Sequence, residues 1–513
     1  MTEHYHFIGI GGIGMSGLAH MLLQKNISVT GSDLATSYVT EGLVKAGATV
    51  HLGHSPSHVK PGMIVVYTSD IKLDNPEYLA AQKLGCTLWH RSDLLARLMR
   101  DQTPLVVAGT HGKTTTSALL SAVLIEAGLD PSIVVGGVIP QYHCNSRLGY
   151  GKYFVFEADE SDGTFLKYHP FGAIVTNIDN DHLINYQGSE EVLTQAFNQF
   201  MSHVNSTKHL FWCGDDPKLV QLDRPGQTYG FSPQCDWRLS NLQQEGFTST
   251  FDLTHKTRQY KQIESALIGT HNALNCAAVF GLAVALGVNE SAIRAAFKGF
   301  KGVLRRCEMK ALFTFPDRIS IRREAPDIGD CDEGIAIAIA EEQSPTDGGL
   351  AADRKLTEKV NKAEIKGEEN DILFIDDYAH HPTEVVTTLR GIRQAMVGRR
   401  LLAVFQPHRY SRTQDCLGSY GHIFDVVDRL IITDIFSAGE QPIPGLHAGL
   451  ILDEVQQKSN VNSELVTRHK LAEHLQIICE PGDVVVTLGA GDITKLAGET
   501  FALLKAKNRV QTV

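Results

Sequence analysis

The chain has 513 residues, 43 % of them from the set AVILMFWYC and 20 % charged, values that exclude collagen-like, coiled-coil and wholly disordered chains. At about 150 residues per domain this length favours some three domains. Lys and Arg number 47 against 58 Asp and Glu, a formal charge of −11, which disfavours binding to nucleic acid or anionic membrane through overall charge but leaves room for a local phosphate site. The nine cysteines are dispersed and form no CxxC pair, so neither a disulfide framework nor a Cys-ligated zinc is expected. The N-terminus lacks the basic and apolar regions of a signal peptide, and no apolar run approaches the roughly 20 residues of a membrane span. A soluble protein of the reducing cytoplasm is the expectation.

Short β-rich runs alternate with helix-period segments, the pattern of parallel sheets with crossover helices, so the fold class is α/β. Strand 5–9, helix 15–25 and strand 28–32 make one βαβ unit. A turn-rich segment near 99–103 precedes a fresh start, strand 105–108 running into a helix from Lys113. Strands 153–157, 173–176 and 209–212 continue this second unit, with a helix over 190–204. Segment 224–263 is rich in Thr, Ser, Phe and Tyr and reads as short antiparallel strands, and 272–286 is apolar on nearly every face, a buried helix. The alternation resumes with strand 372–375, helix 383–396, strand 401–405, helix 411–426, strands 429–433 and 483–487, and a helix from Ile493. Three domains follow: 1–101, 102–304 and 305–513. Residues 313–370 are dense in acids, Gly and Pro and read as a flexible insertion whose ends lie close together. No fixed-period repeat is present.

Gly9-Ile10-Gly11-Gly12-Ile13-Gly14 sits between a strand and a helix, where glycines let the backbone approach a diphosphate held at a helix N-terminus. Asp33, 19 residues beyond Gly14 at the end of the second strand, is where an acid meets a ribose hydroxyl. The motif alone does not choose between NAD, FAD and a UDP-sugar, and a ligand-free tight turn gives the same pattern. A stronger signal is the strand-to-helix loop Gly109-Thr110-His111-Gly112-Lys113-Thr114-Thr115, with a lysine for β- and γ-phosphates and a threonine hydroxyl for Mg²⁺. Its GxxGKT spacing is two residues shorter than the common phosphate loop. Glu157 and the run from Thr176 through Asp179 to His182 place oxygen and nitrogen donors at neighbouring strand ends, where a nucleotide-bound metal needs ligands. In the last third, runs 376–384 and 406–412 cluster His and Arg at strand ends, suited to carboxylate or phosphate. His380-His381 has no third ligand at helical spacing, so zinc is not expected there.

Eight motifs then resemble, in order, those of bacterial Mur ligases: GIGGIGMSGLA (9–19), GTHGKTTT (109–116), EADESDGTFL (157–166), TNIDNDH (176–182), HNALNCAA (271–278), RRCE (305–308), DDYAHHPTE (376–384) and QPHRYSRT (406–413). The resemblance covers nearly the whole chain outside 313–370. It implies three domains: a Rossmann-like N-terminal domain for a UDP-sugar, a central P-loop ATPase domain and a C-terminal Rossmann-like domain receiving an amino acid.

The motif wording is nearest to the branch that joins L-alanine to UDP-N-acetylmuramate in cell-wall precursor synthesis. ATP, UDP-N-acetylmuramate and L-alanine are then the substrates and Mg²⁺ the cofactor, with an acyl phosphate as intermediate. By motif, Lys113, His182 and Arg306 carry catalysis, and Thr114, Glu157 and His182 serve the metal. Gly109, Thr110, His111, Gly112, Lys113, Thr114, Thr115, Asn272, Asn275 and Asp377 bind ATP. Gly11, Gly12, Gly14, Asp33 and Ser161 bind the UDP-sugar, and Tyr378, His380, His408, Arg409 and Arg412 the amino acid. Three departures stand out: Ile184 where the family has an acid, Cys276 and Cys307 where Ala and Phe are usual, and the insertion. The rival readings are a ligase that recycles a whole tripeptide, a nucleotide-binding scaffold without turnover, and a nicotinamide oxidoreductase that leaves Lys113, Glu157 and His182 without a task.

Overall fold

The computed structural model describes residues 3–142, 144–180, 183–313 and 371–511, so the expected insertion lies outside the described residues from 314 onward. Two compact units make up the chain, Met1–Leu304 and Arg305–Val513.

The first unit opens with strands β1 (His4–Ile8), β2 (Ser28–Asp33), β3 (Thr49–Leu52), β4 (Ile64–Tyr67) and β5 (Thr87–His90), all parallel in the order β3-β2-β1-β4-β5. Central β1 is buried on both faces, with Tyr5, His6, Phe7 and Ile8 at 0 % exposure, as crossover helices on each side of a parallel sheet require. The helix Ile13–Gln24 begins two residues before the expected start and inside the glycine run.

A second sheet follows, from β6 (Thr103–Ala108), β7 (Ser132–Ile139), β8 (Cys144–Arg147), β9 (Tyr153–Glu157), β10 (Gly172–Val175), β11 (Leu210–Cys213), β12 (Gln227–Gly230), β13 (Trp237–Glu245), β14 (Thr248–His255) and β15 (Arg258–Ser265). Its order is β15-β14-β13-β12-β11-β10-β6-β9-β7-β8. Segment 224–263 bears out the expected antiparallel strands in β13, β14 and β15, though they are longer than expected, and departs from the expectation at β12. β12 runs parallel to both neighbours, and β13 to β15 form a meander of eight- and nine-residue strands that widens the same sheet. The helix Thr270–Ala285 is buried along most of its length, as its all-round apolar sequence requires.

The two sheets share one apolar core, running from Tyr5 and Leu18 to Val106, Phe154 and Phe280. Helix Ile13–Gln24 is fastened to β8: an added Cβ on Gly17 would stand 3.2 Å from Ser146, and the Asn145 amide donates to Ile13 O at 2.8 Å.

The second unit holds β16 (Glu308–Phe313), β17 (Ile372–Asp377), β18 (Leu401–Phe405), β19 (Arg429–Ile432), β20 (Asn462–Leu465) and β21 (Val484–Leu488), in the order β16-β17-β21-β18-β19-β20. Among the described residues of this unit, only the β16 and β17 pair is antiparallel. Phe313, read from sequence as the first residue of the insertion, ends β16 instead. It pairs directly with Ile372 and packs on Phe501, so the chain leaves and re-enters the described fold at adjacent points. The helix expected over 411–426 stops at Cys416. Beyond it Gly418 takes φ +95°, and the N–H groups of Gly418, Tyr420 and Gly421 donate to the Glu454 carboxylate rather than to carbonyls one turn back. Among the described residues, no helix is long and apolar enough to cross a membrane.

Candidate active site

β6 lies between β9 and β10, so the loop that leaves it is flanked by the ends of both strands. Gly109 (φ +128°) and Gly112 (φ +83°) hold conformations that L side chains rarely adopt, and a Cβ on Gly109 would stand 2.0 Å from Thr176 Oγ1. The turn after β10 clamps this loop. Thr176 Oγ1 donates to His111 O at 2.6 Å, and Asn177 accepts from His111 N at 2.8 Å while its amide donates to His111 O at 3.0 Å. The Asp179 N–H donates to Thr110 Oγ1, and the Asp179 carboxylate meets the His111 ring at 2.8 Å. The polar strand end read as a source of metal ligands thus shapes the phosphate loop with Thr176, Asn177 and Asp179. His182 lies outside the described residues.

Lys113 opens the helix Lys113–Glu126, whose N-cap Gly112 has no side-chain cap. Its Nζ donates to Gly109 O (2.7 Å), Thr110 O (3.0 Å) and Glu160 Oε1 (2.9 Å). Glu160, 3 % exposed, was passed over in the sequence because one acid in an acidic motif stands out no more than its neighbours. Burial pushes its carboxyl up to about 7 against the pull of the Lys113 ammonium. Burial disfavours charge on Lys113 as well, but Glu160 outweighs it and the ammonium is held above its ordinary value.

Thr114 and Glu157 come together over β7. A Cβ on Gly136 would meet Glu157 Oε1 at 1.8 Å and Thr114 Oγ1 at 3.1 Å. Only a glycine leaves that space open. Glu157 Oε2 is buried with no hydrogen-bond partner, an expensive state for a carboxylate oxygen unless a cation reaches it. Asn275 reaches the same loop from helix Thr270–Ala285, its Oδ1 3.1 Å from the Cβ position of Gly112, and donates to Asn272 Oδ1 at 3.2 Å. Thr115 is buried in the first turn behind Lys113.

In the same unit, Asp33 Oδ2 accepts from Gly11 N at 2.7 Å, so the acid expected on a ribose also fixes the glycine loop. Beside it a cavity of about 340 Å³ is lined by apolar side chains such as Val44, Val50 and Leu52 together with Glu41, Lys45 and His51. Ser161 N donates to Asp159 Oδ1, and its carbonyl accepts from Asn185.

The second unit gathers the remaining candidates. Arg305 (φ +62°) and Cys307 (φ +49°) form a tight turn fastened to the end of β17. Tyr378 N donates to Arg305 O, and Asp377 accepts from Cys307 N (2.7 Å) and Ala379 N (2.8 Å). Asp377 is therefore a buried fastener, its carboxyl raised by burial although Arg306 opposes the rise. Arg306 lies 5.4 Å over the Tyr378 ring and 3.8 Å from Glu384. Arg305, which sequence reasoning missed, bonds Asp376 and the carbonyls of Gly489, Ala490 and Gly491.

His380 and His408 lie 5.6 Å apart, with His408 stacked on Phe436 and 3.5 Å from the Arg412 guanidinium. Burial, aided by the positive charge of Arg412, lowers His380 to about 4 and His408 to about 3, so both are neutral at pH 7. His380 Nδ1 faces Tyr378 O at 2.9 Å; a carbonyl only accepts, which puts the ring proton on Nδ1 and a lone pair on Nε2. Arg409 is exposed and held at φ +67° by its N–H to Phe436 O and its own carbonyl to Thr413 Oγ1. Such a backbone costs a non-glycine residue of order 1–3 kcal/mol.

Three family models match: Mur ligase family, catalytic domain, over residues 4–103; Mur ligase middle domain over 107–283; and Mur ligase, glutamate ligase domain, over 363–491. A UDP-N-acetylmuramate–L-alanine ligase of Protochlamydia amoebophila is 50 % identical over 509 residues, 99 % of this chain and 100 % of that one. A protein of the same name from Anaeromyxobacter is 37 % identical over 98 % of both chains. The crystal structure of the Thermotoga maritima UDP-N-acetylmuramate–alanine ligase MurC superposes with TM-score 0.75 at 24 % identity, covering 98 % of this chain and 99 % of that one, a likeness of fold.

Proposed function

The chain belongs to the Mur ligase family, and we propose that it joins L-alanine to UDP-N-acetylmuramate at the expense of ATP, in peptidoglycan synthesis. The carrying observation is that one compact unit contains both the Gly109–Gly112 loop with Lys113 and the diphosphate-type loop Gly9–Gly14. The Protochlamydia and Anaeromyxobacter relatives named for this reaction, both matched along nearly their whole length, support the choice of substrates.

The UDP diphosphate rests on Gly11, Gly12 and Gly14, and its nucleoside end on the cavity beside Asp33. ATP phosphates lie on residues 109–115, with Asn272 and Asn275 toward the base. Carboxylate oxygen and hydroxyl are hard donors that suit Mg²⁺, and the unsatisfied Glu157 Oε2 beside Thr114 fits such an ion; His182 is the expected third ligand. When bound, the ion neutralises charge on the β- and γ-phosphates.

The lactyl carboxylate attacks the γ-phosphorus and ADP leaves, giving an acyl phosphate; the amine of alanine then attacks the acyl carbon and phosphate departs. Lys113 leaves Glu160 to stabilise charge on the transferring phosphoryl group. Arg409 and Arg412 hold the alanine carboxylate, Tyr378 and His408 line its side, and His380 offers the Nε2 lone pair to the proton the amine must lose. Domain boundaries at 101/102 and 304/305 follow this division of labour.

The test is phosphate release with each component omitted in turn. Turnover that requires ATP, Mg²⁺, UDP-N-acetylmuramate and L-alanine together is the expected result. A tripeptide used better than L-alanine would move the chain to the recycling branch, and binding without turnover would make it a scaffold.

A further inference from the structure

Arg91 opens the helix Arg91–Leu98 at the end of β5, and no motif reading singled it out. Its guanidinium lies on the diphosphate-type loop: Nη1 is 3.0 Å from the Cβ position of Gly14. Nη2 is 2.5 Å from Asp159 Oδ2, across from the first sheet to the segment after β9. Gly14 is the second residue of helix Ile13–Gln24, whose N-cap Gly12 supplies no side-chain cap and whose first turn carries no acid. A cation over the positive end of a helix is repelled unless an anion comes between them. Asp159 compensates Arg91 from the other side, but nothing on the loop itself does so.

The next residue along, Glu160, holds Lys113 in the same way. Two consecutive carboxylates therefore each occupy one cation, and each cation faces one of the two phosphate-type loops. Ser161 N donates to Asp159 Oδ1, which fixes the carboxylate and leaves Oδ2 to Arg91.

We propose that Arg91 is a binding residue for the diphosphate of the UDP-sugar, parked on Asp159 until that anion arrives. The guanidinium fork presents several donors in one plane, so it can take non-bridging phosphate oxygens with one edge while the other stays near Asp159. The inference rests on the proposed UDP-sugar substrate. It also gives Asp159 a positioning role, because the ion pair sets where the fork points before substrate binds.

The experiment measures KM separately for UDP-N-acetylmuramate, ATP and L-alanine in wild type, Arg91→Ala, Arg91→Lys and Asp159→Asn, with UDP-N-acetylmuramate binding followed by calorimetry. Arg91→Ala should raise the KM and Kd for UDP-N-acetylmuramate at least tenfold while the KM for ATP and for L-alanine stays within twofold, which also reports that the fold is intact. Arg91→Lys should recover part of the loss, as a point charge without the fork. Asp159→Asn should shift the same KM by a smaller factor. If wild type turns over UDP-N-acetylmuramate and Arg91→Ala binds it within twofold of wild type, Arg91 is only a strut between the sheets and the inference falls. If wild type does not use UDP-N-acetylmuramate at all, the functional reading falls first. An equal rise in all three KM values would point to general distortion and overturn the binding role.

Discussion

Gly109→Ala is the substitution the phosphate loop should tolerate least. The added methyl would stand 2.0 Å from Thr176 Oγ1 and within 3.1 Å of the Thr176 and Asn177 backbone nitrogens, and the Thr176 nitrogen is tied in place by its bond to Ala108 O at 3.0 Å. At φ +128° an L residue pays about 1–3 kcal/mol in backbone strain. Crowding of a packed site adds about 1–3 kcal/mol, and the displaced bond from Thr176 Oγ1 to His111 O about 1 kcal/mol more. The expected loss is thus roughly 5 kcal/mol. Gly128→Ala is the control, since Gly128 also has positive φ (+72°) but nothing within 4 Å of its Cβ position, so only the backbone cost of about 1–2 kcal/mol remains. Trp89, Trp212 and Trp237 all lie in the first unit, so urea unfolding followed by their fluorescence reports that unit. A Gly109→Ala variant within about 1 kcal/mol of Gly128→Ala in free energy would refute the close approach of Thr176 to this loop.

Lys113→Ala should abolish phosphate release; a variant retaining more than about a tenth of the wild-type rate, a barrier change below about 1.4 kcal/mol, would remove the assigned role. Arg409→Ala and Arg412→Ala should each raise the KM for L-alanine about tenfold or more, the scale of a lost charge-assisted contact, and an unchanged KM in both would remove them from the site. In acid, His380 and His408 should destabilise the second unit. Both bind protons near pH 6.5 when unfolded but only near about 4 and about 3 when folded. The unfolded chain therefore holds more protons below pH 6.5, and stability falls as pH drops from there toward 4. His380 alone accounts for about 3 kcal/mol across that window. Calorimetric unfolding between pH 7 and 4 measures this, and a His380→Gln variant with the same pH slope as wild type would contradict it.

Local patterns carried much of this protein into view. Short apolar runs located β1, β2, β6, β9, β17 and β18, and period-3.6 patterning most of the helices between them, because a strand covered on both faces is apolar at successive positions and a helix along one stripe. The glycines at 9–14 and 109–112 were legible for a similar reason: a strand-to-helix turn that admits phosphate needs residues free of Cβ, and this is a demand on single positions. Tertiary structure decided what depends on partners distant in the chain. Helix 411–426 failed because Glu454, some thirty residues away, offers its carboxylate to the turn after Cys416. β16 alternates polar and apolar only over Glu308–Ala311, too short a run to stand out, and its pairing partner β17 lies beyond the acidic segment. Thr176 and Asn177 looked like metal donors, yet their reach to His111 exists only because β10 lies beside β6. Arg91 and Gly136 belonged to no motif, and Asp159 and Glu160 stood undistinguished among the acids of 157–166. Their meaning arises where two sheets and a loop converge, since a charge is costly or useful according to what surrounds it and not according to its neighbours in sequence.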